Sequence, residues 1–155
     1  MMNDILSAIG YVHKKNIVHL DIKPSNIMIT KEGDIKVLDF GISADLNNEI
    51  GNQGMGTPFY MSPEQIDGKY IDHKSDIFSL GITLFQMLTA KLPFPKLERE
   101  KLFDFIKNKP LKKVNQHINL NDFRLQQIID LATKKNPKYR YRSCQEFSID
   151  LNELL

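Results

Sequence analysis

A helix that is apolar on nearly every side constrains this chain more than any other feature. From Asp76 to Leu88, apolar residues recur at the i, i+3, i+4 spacing of a helix, and Phe78, Ile82 and Met87 fill the remaining faces. A helix without a polar face has to be surrounded by the rest of the protein. The chain has 155 residues, of which 41% are hydrophobic, and this is enough to build one buried core around that helix.

Helical spacing predicts further helices on both sides of the central one. They are expected over residues 4–15, 98–108, 123–134 and 143–154. In the last of these, Ser143 is the expected N-cap and Glu146 completes a capping box.

The β signals are short and lie near the start of the chain. Two β-rich runs, 27–30 and 35–38, flank a turn that contains Gly33, and together they predict a hairpin. Residues 17–18 are a further strand candidate. Residues 41–68 are rich in glycine and lack periodicity, so we interpret them as a long functional loop. The predicted fold class is mainly α with one small β-hairpin.

Composition excludes several classes of protein. The formal net charge is only +2, which argues against a chain held to nucleic acid by gross charge. The apolar runs are far too short for a membrane span, and the N-terminus lacks the pattern of a secretory leader. A single cysteine, Cys144, cannot form an internal disulfide. We therefore expect a soluble intracellular protein of the cytoplasm, with the nucleus left open.

The charge is unevenly divided along the chain. Residues 1–76 carry seven basic and eleven acidic side chains, whereas residues 77–155 carry fourteen and eight. We interpret the basic half as a solvated helical surface, with docking of an acidic partner as the less favoured alternative. It lacks the interleaved aromatic residues of a nucleic-acid surface, so no nucleic-acid partner is expected.

Polar residues that a fold would not require flank the hairpin at both ends. Asp21, Lys23 and Asn26 precede it, and Asp39 follows it. Because a hairpin brings its two ends together, these four side chains are expected to converge. Asn26 and Asp39 offer the oxygen ligands that Mg²⁺ prefers, and Lys23 offers a positive charge for a phosphate. Asp21 is then available to take a proton from a hydroxyl.

Each of these residues has a structural interpretation when it is taken alone. Asp and Asn are common in turns, and an isolated lysine usually lies on the surface. The combination favours a site for phosphate and a divalent cation.

Five motifs carry a resemblance to a known family. Residues 19–26 (HLDIKPSN) resemble the catalytic loop of eukaryotic-type protein kinases, and residues 39–41 (DFG) resemble their metal-binding element. The end of the family's activation segment is resembled by residues 56–64, and the start of its central helix by residues 76–81. A later motif of the family, which contains an arginine, is resembled by residues 136–140. The five motifs follow one another in the same order as in the family. The resemblance covers nearly the whole chain and corresponds to the large lobe of the kinase domain.

The resemblance implies a role for each site residue. Asp21 would be the catalytic base, Lys23 would contact the γ-phosphate of ATP, and Asn26 and Asp39 would hold Mg²⁺. The Lys-Pro pair at 23–24 and the Gly-Thr pair at 56–57 resemble kinases that phosphorylate Ser and Thr in protein substrates.

The remaining implied residues shape or support the site. Gly41, Thr57 and Glu64 would belong to the activation segment, with Thr57 bracing Asp21 and Lys23. The residues implied as structural support are His19, Phe40, Asp76 and Arg140. Among them, Asp76 would hold the backbone of the catalytic loop and Arg140 would pair with Glu64, while His19 and Phe40 would pack in the core.

One departure from the family concerns regulation. The family usually has Arg where Leu20 stands, and that Arg pairs with a phosphate on the activation segment. The stretch from Ala44 to Gly56 contains no Ser, Thr or Tyr, so the usual phosphate acceptor is lacking as well. We expect that phosphorylation of this stretch does not switch the protein.

A second departure concerns the small lobe. Its Gly-rich loop, strand lysine and helix glutamate have no counterparts in these 155 residues. We expect a partial kinase domain over residues 1–155, which alone transfers phosphate weakly or not at all, and which works with a small lobe or a regulatory protein. The alternative is a non-catalytic binding or regulatory module that acts through residues 98–114. A degenerate remnant is disfavoured because all four site residues are present.

Overall fold

The apolar run forms the helix at the centre of the fold. The computed structural model describes residues 1–40, 43–45, 56–118 and 123–154. The central helix spans His73–Thr89, and every residue from 75 to 85 is buried. The Asp72 side chain caps its first turn by accepting a hydrogen bond from the Lys74 N–H. The helix ends at Thr89, and its C-cap Ala90 adopts a left-handed conformation with φ of 55°.

The elements follow one another in an order that we number along the chain. They are α1 (Met2–His13), β1 (Ile17–Val18), β2 (Ile27–Ile29), β3 (Ile35–Val37), β4 (Ala44–Asp45), α2 (Pro63–Asp67), α3 (His73–Thr89), α4 (Arg99–Asn108), α5 (Phe123–Ala132) and α6 (Cys144–Asn152). Short 3₁₀ turns lie at Pro24–Asn26, Pro58–Tyr60, Val114–Gln116 and Pro137–Tyr139. The predicted helices and the mainly α fold class are confirmed, with ends that differ by at most two residues for α1, α4, α5 and α6.

The predicted hairpin is present as β2 and β3. The strands are antiparallel, and Ile27 pairs with Val37 while Ile29 pairs with Ile35. Each strand is one residue shorter than predicted. The Leu38 N–H donates to the Asn26 carbonyl at 2.8 Å, so the two ends of the hairpin are fixed side by side.

The interpretation of residues 41–68 as a loop is wrong in part. Ala44 and Asp45 form β4, which pairs antiparallel with β1. Farther along, α2 begins with a complete capping box between Ser62 and Gln65 and ends at Gly68, which has a left-handed φ of 63° that favours glycine. The residues between these two elements, 46–55, lie outside the described residues.

The capping box expected at α6 forms only by half. The Glu146 N–H donates to the Ser143 side chain at 3.2 Å, as predicted. The Glu146 carboxylate, however, accepts from the Arg142 N–H, one residue earlier than the N-cap.

Two apolar clusters occupy the space around α3. The larger joins α3 to α1, α5 and α6, and the smaller lies between α3, α4 and the 3₁₀ turn at Pro58–Tyr60. The central helix is thus covered on all sides, as its sequence requires. Within the described ranges, no helix combines the length and the apolar character needed to cross a membrane.

Candidate functional site

The loop between β1 and β2 carries the candidate site, and a buried carboxylate holds its backbone. Asp76 is fully buried in the first turns of α3. Its two oxygens accept the N–H groups of His19 and Leu20, both at 2.8 Å. The second residue, Leu20, has a left-handed φ of 68°, which is strained for a leucine. The carboxylate therefore fixes the loop in a conformation that it would not adopt alone.

A histidine from α1 completes the surroundings of this carboxylate. His13 Nε2 lies 2.7 Å from Asp76 Oδ2, and His13 Nδ1 lies 3.7 Å from the Sγ of the buried Cys144. The sequence pattern gave no reason to single out His13, because its contact joins residues 63 positions apart.

Asp21 is the centre of the polar network. Its Oδ1 accepts from the Thr57 N–H at 2.8 Å and from the Thr57 hydroxyl at 2.7 Å. Its Oδ2 accepts from Lys23 Nζ at 2.6 Å and from Asn26 Nδ2 at 3.2 Å. Lys23 Nζ also donates to Thr57 Oγ1 at 2.5 Å. Three residues from two separate segments therefore fix both oxygens of one carboxylate.

These contacts keep the carboxylate charged. Burial raises the pKa of Asp21, but the hydrogen bonds from Lys23 and Thr57 outweigh burial, and the net pKa lies below that of an ordinary aspartate. Asp21 is only 8% exposed, yet it is ionised at neutral pH and can accept a proton.

Asn26 is oriented so that its carbonyl oxygen is available. Its Nδ2 donates to the Asp21 backbone carbonyl at 2.9 Å as well as to the Asp21 carboxylate. Because the amide nitrogen is fixed in this way, Oδ1 points to the other side. Its oxygen accepts no hydrogen bond from the residues that the structure describes.

Asp39 lies two residues after the end of β3. It is exposed, has a left-handed φ of 61°, and follows Leu38, whose N–H is bonded to the Asn26 carbonyl. The structure thus places Asp39 and Asn26 at the same end of the hairpin. Gly41, which the resemblance implies as part of the activation segment, lies outside the described residues.

The core role expected for Phe40 is wrong. His19 is fully buried, as expected, but Phe40 is 40% exposed. The two rings are in contact, with centroids 4.5 Å apart. The described part of the chain covers Phe40 on its His19 side and leaves another side open.

A buried ion pair joins Glu64 of α2 to Arg140. Arg140 Nη1 and Nη2 donate to the two oxygens of Glu64 at 2.6 and 2.8 Å, and Ser75 Oγ donates to the same carboxylate at 2.7 Å. Burial raises the pKa of Glu64, but the hydrogen bonds and charge of Arg140 reverse the effect, so the net pKa is lowered. Glu64 therefore stays charged and ties α2 to the segment before α6.

Gln65 is a site residue that the sequence prediction missed. Its Nε2 donates to the Leu20 carbonyl at 3.0 Å, so α2 contacts the backbone of the loop between β1 and β2 directly. The capping-box pattern Ser-Pro-Glu-Gln at 62–65 was a signal for a helix start here. The capping-box pattern does not predict the contact between Gln65 Nε2 and the Leu20 carbonyl.

A cavity opens beside the site. It has a volume of about 480 Å³ and lies between α1, β3 and Phe40. Its lining is mixed: Asp4 and Ser7 lie beside Val12 and Val37, and the exposed Tyr11 also lines it. An open cavity of mixed lining therefore reaches Phe40, the residue that follows Asp39.

Comparison with protein families identifies the class. The protein kinase domain family matches residues 1–149, which is nearly the whole chain. The chain therefore belongs to the protein kinase family.

Named relatives come from bacteria and from yeast. The chain is 36% identical over 160 residues to the serine/threonine-protein kinase PrkC of Bacillus subtilis, covering 97% of this chain and 24% of that protein. It is 34% identical over 154 residues to the serine/threonine-protein kinase PknB of Mycobacterium tuberculosis, covering 96% of this chain and 24% of that one. With the MAP kinase kinase skh1/pek1 of Schizosaccharomyces pombe it shares 45% identity over 91 residues, 59% of this chain and 25% of the relative. The chain spans about a quarter of the length of these relatives.

Proposed function

We propose that this chain supplies the large-lobe half of a Ser/Thr protein kinase active site. The reaction would transfer the γ-phosphate of ATP to Ser or Thr hydroxyls of a protein substrate. One observation carries the proposal: an ionised, almost buried carboxylate, Asp21, is fixed at both oxygens by Lys23, Thr57 and Asn26.

In this proposal Asp21 accepts the proton of the substrate hydroxyl. The hydroxyl oxygen then forms a bond to the γ-phosphorus while the bond between that phosphorus and the bridging oxygen breaks, and ADP leaves. Lys23, already beside Asp21, places its positive charge where the transferred phosphoryl group meets the hydroxyl. Thr57 fixes the positions of Asp21 and Lys23 relative to each other, and phosphoryl transfer depends on such positioning.

The residues present fit a magnesium ion that is bound together with a nucleotide. Asn26 offers Oδ1 because its nitrogen is already used, and Asp39 offers a carboxylate at the same end of the hairpin. Across the described ranges, no group of three or more His, Cys, Asp or Glu gathers into a metal-binding cluster of its own. Mg²⁺ commonly takes one or two protein ligands and completes its shell with phosphate oxygens and water. When bound, the ion would neutralise charge on the phosphates.

The choice of Ser/Thr over Tyr substrates rests on two features. The chain has the Lys-Pro pair at 23–24 and the Gly-Thr pair at 56–57, and relatives such as PrkC and PknB carry names of Ser/Thr kinases.

We propose the cytoplasm as the place of action, in keeping with the composition.

We propose that a small lobe packs against the exposed apolar side chains on α1, on the hairpin and at Phe40. Met28, on the hairpin, is 42% exposed, Phe40 is 40% exposed and Tyr11 is 65% exposed beside the cavity. An apolar surface of this kind marks an interaction site. A small lobe that covers it and closes over ATP could belong to the same polypeptide or to a separate protein.

The test is a phosphotransfer assay on the full-length protein with labelled ATP, Mg²⁺ and a mixed protein substrate. Asp21→Asn should lower the rate by at least about a hundredfold, since a positioned general base contributes roughly that much. Asp34→Asn is the matched control, because Asp34 is an exposed aspartate in the turn of the same hairpin. Phosphoamino-acid analysis of the product should show phosphoserine and phosphothreonine.

The opposite result would support the alternative function. If the full-length protein gives no transfer above the Asp21→Asn background, the catalytic proposal is wrong. A binding or regulatory module acting through residues 98–114 would then be the better account.

A further inference from the structure

Two stretches of the second half of the chain contain lysines and no acidic residue. Residues 77–97 and 105–121 together hold six lysines and no Asp or Glu. The six are Lys91, Lys96, Lys107, Lys109, Lys112 and Lys113. The structure joins the two stretches, because the Lys112 N–H donates to the Pro93 carbonyl at 3.0 Å. The positive charge of the second half is therefore concentrated where these stretches meet.

Two of the six lysines are paired with acids from other elements. Lys107 pairs with Asp67 of α2 at 3.0 Å, and Lys113 pairs with Asp130 of α5 at 2.5 Å. The other four form no ion pair with any residue that the structure describes. We call these four the basic surface: Lys91, Lys96 and Lys109, which are exposed, and Lys112, which is half-buried.

Two lysines of the basic surface act on the same neighbour. The ring of His117 packs edge-on against Phe85 of α3, with centroids 5.8 Å apart. Burial of this ring first, and then the charges of Lys91 and Lys112, lower the pKa of His117. Lysines from both stretches therefore approach one another beside His117. Like charges gathered in this way repel one another, and an anionic group placed among them would relieve the repulsion.

Apolar side chains lie next to these lysines. Leu92 and Leu111 are half-buried and pack against the smaller of the two apolar clusters around α3. The aromatic rings of the two stretches are turned inward, since Phe94 is 5% exposed and Phe105 is half-buried in the same cluster. Proteins that bind single-stranded nucleic acid use exposed aromatic rings as stacking platforms. A protein segment with acidic and apolar side chains fits this surface better than a nucleic acid does.

The same apolar cluster connects the basic surface to the candidate site. It includes Tyr60, whose hydroxyl donates to the Gln86 side chain at 2.5 Å, and Gln86 precedes Lys91 by five residues. Asp76, in the first turns of α3, holds the loop that carries Asp21. Fifteen residues separate Asp76 from Lys91, which is roughly 20 Å along a helix. An extended chain of about seven residues spans that distance.

We propose that the basic surface binds an acidic segment of a protein partner, and that this partner is the protein substrate. The first part needs no catalytic activity, whereas the second rests on the proposed kinase function. The lysines would pair with carboxylates of the segment, and Leu92 and Leu111 would contact its apolar side chains. An acidic tract at least about seven residues from the phosphorylated hydroxyl would then strengthen substrate binding without contacting the reacting atoms.

The first test measures binding to the full-length protein by fluorescence anisotropy. The probe is a short labelled peptide of glutamates with two leucines, and its counterpart has glutamine in place of glutamate. The acidic peptide should bind at least about tenfold more tightly at low salt and lose most of this advantage at high salt. Lys91→Glu with Lys112→Glu should weaken its binding by at least about tenfold, because two attractive charges become repulsive.

The matched control carries the same change in net charge at another place. Lys31→Glu with Lys36→Glu alters two exposed lysines of the hairpin and should leave peptide binding unchanged. Equal weakening in the two double variants would refute the basic surface as the binding site. If the charge reversal does not fold, Lys91→Gln with Lys112→Gln replaces it, and unweakened binding in that variant has the same meaning. Tighter binding of oligouridylate than of the acidic peptide, lost in the same variant, would identify a nucleic-acid partner and overturn the proposal.

The second test measures phosphotransfer. A serine-containing peptide that the full-length protein phosphorylates is extended by a linker of about ten residues and a tract of either glutamates or glutamines. The acidic tract should lower KM for the peptide by at least about fivefold, with kcat and KM for ATP within about twofold, because binding away from the reaction acts equally on ground and transition states. Lys91→Glu with Lys112→Glu should give the two peptides the same KM. Equal KM values in the wild type would refute the assignment to the substrate.

The two tests separate this proposal from the proposed function. An active protein that does not discriminate between the acidic and neutral peptides refutes the basic surface alone. A protein that binds the acidic peptide through Lys91 and Lys112 but transfers no phosphate refutes the kinase function and the assignment to a substrate, while the binding surface stands.

Discussion

Arg140 and Glu64 form a two-bond ion pair inside the protein, although they lie 76 positions apart in the sequence. The Arg140 side chain is fully buried and that of Glu64 is 6% exposed. The other N–H groups of the guanidinium donate to the carbonyls of Lys134, Lys135 and Lys74. Every N–H of the guanidinium therefore has a partner, and the pair ties α2 to the first turn of α3 and to the segment between α5 and α6.

Removal of the arginine should therefore destabilise the protein. Arg140→Ala leaves the Glu64 carboxylate buried without its partner and should lower the free energy of unfolding by about 3–5 kcal/mol. Chemical denaturation with urea measures this. Arg142→Ala is the matched control because Arg142 is exposed two residues farther on, and it should change stability little. Equal losses in the two variants would contradict the role assigned to the buried pair.

A half-buried lysine next to this pair makes the free energy of unfolding depend on pH in the alkaline range. Burial first, and then the charge of Arg140, lower the pKa of Lys135 from 10.5 to about 8, and its Nζ donates to the Ile106 carbonyl at 2.6 Å. Between these two values the unfolded state binds more protons than the folded state, so the contribution of Lys135 to the free energy of unfolding rises with pH.

The prediction is a difference between two variants. Between pH 8 and 10.5, the free energy of unfolding of Lys135→Met should lack the increase that Lys135 contributes in the wild type. Lys134→Met, an exposed neighbour, should retain it. Urea unfolding at a series of pH values gives both curves, and parallel curves for wild type and Lys135→Met would refute the prediction.

The hydroxyl of Thr57 should matter for rate and little for nucleotide binding. It donates to Asp21 and accepts from Lys23, so both side chains depend on it. Thr57→Val keeps the shape but removes two hydrogen bonds to charged groups, and it should lower kcat of the full-length protein by about ten- to a hundredfold. Thr57→Ser keeps the hydroxyl and should remain close to wild type. A fully active Thr57→Val would show that the contacts seen here do not position the base.

Much of this architecture could be predicted from the sequence because its signals are local. Helical periodicity located α1, α4, α5 and α6, and two β-rich runs around Gly33 located the hairpin. Asp21, Lys23 and Asn26 come together because they are close in sequence and precede a strand. Motif resemblance added the distant pair of Glu64 and Arg140, which no local pattern could join.

The features that were missed depend on tertiary contacts. β4 consists of Ala44 and Asp45, two residue types that are depleted in strands, and it exists because β1 lies beside it. The second contact of Gln65, with the Leu20 carbonyl, needs the whole fold to bring α2 to the loop. The exposure of Phe40 likewise depends on what covers its free side, which its apolar character alone does not reveal.

Activation without a phosphate can be tested directly. Because residues 44–56 contain no Ser, Thr or Tyr and Leu20 is buried, phosphatase treatment of the active full-length protein should leave its rate unchanged. Mass spectrometry should find no activating phosphate on this stretch. The nearest hydroxyls are Ser43, which donates to the Phe40 carbonyl at 2.7 Å, and Thr57, which is engaged with Asp21 and Lys23. A phosphate at either position that accompanies activity, and whose removal abolishes it, would refute the prediction.

The 155 residues taken alone should transfer phosphate weakly or not at all. Phosphoryl transfer depends almost entirely on positioning and on charges around the phosphates, and the sequence contains no Gly-rich nucleotide loop ahead of the hairpin to supply them. The isolated chain also exposes Tyr11, Met28 and Phe40, so it should bind apolar dyes and aggregate as its concentration rises. The measurement is turnover by the isolated chain compared with its Asp39→Ala variant, alongside light scattering. Rapid turnover that disappears in Asp39→Ala would show that the large-lobe residues suffice, and the small lobe would then be unnecessary for the chemistry.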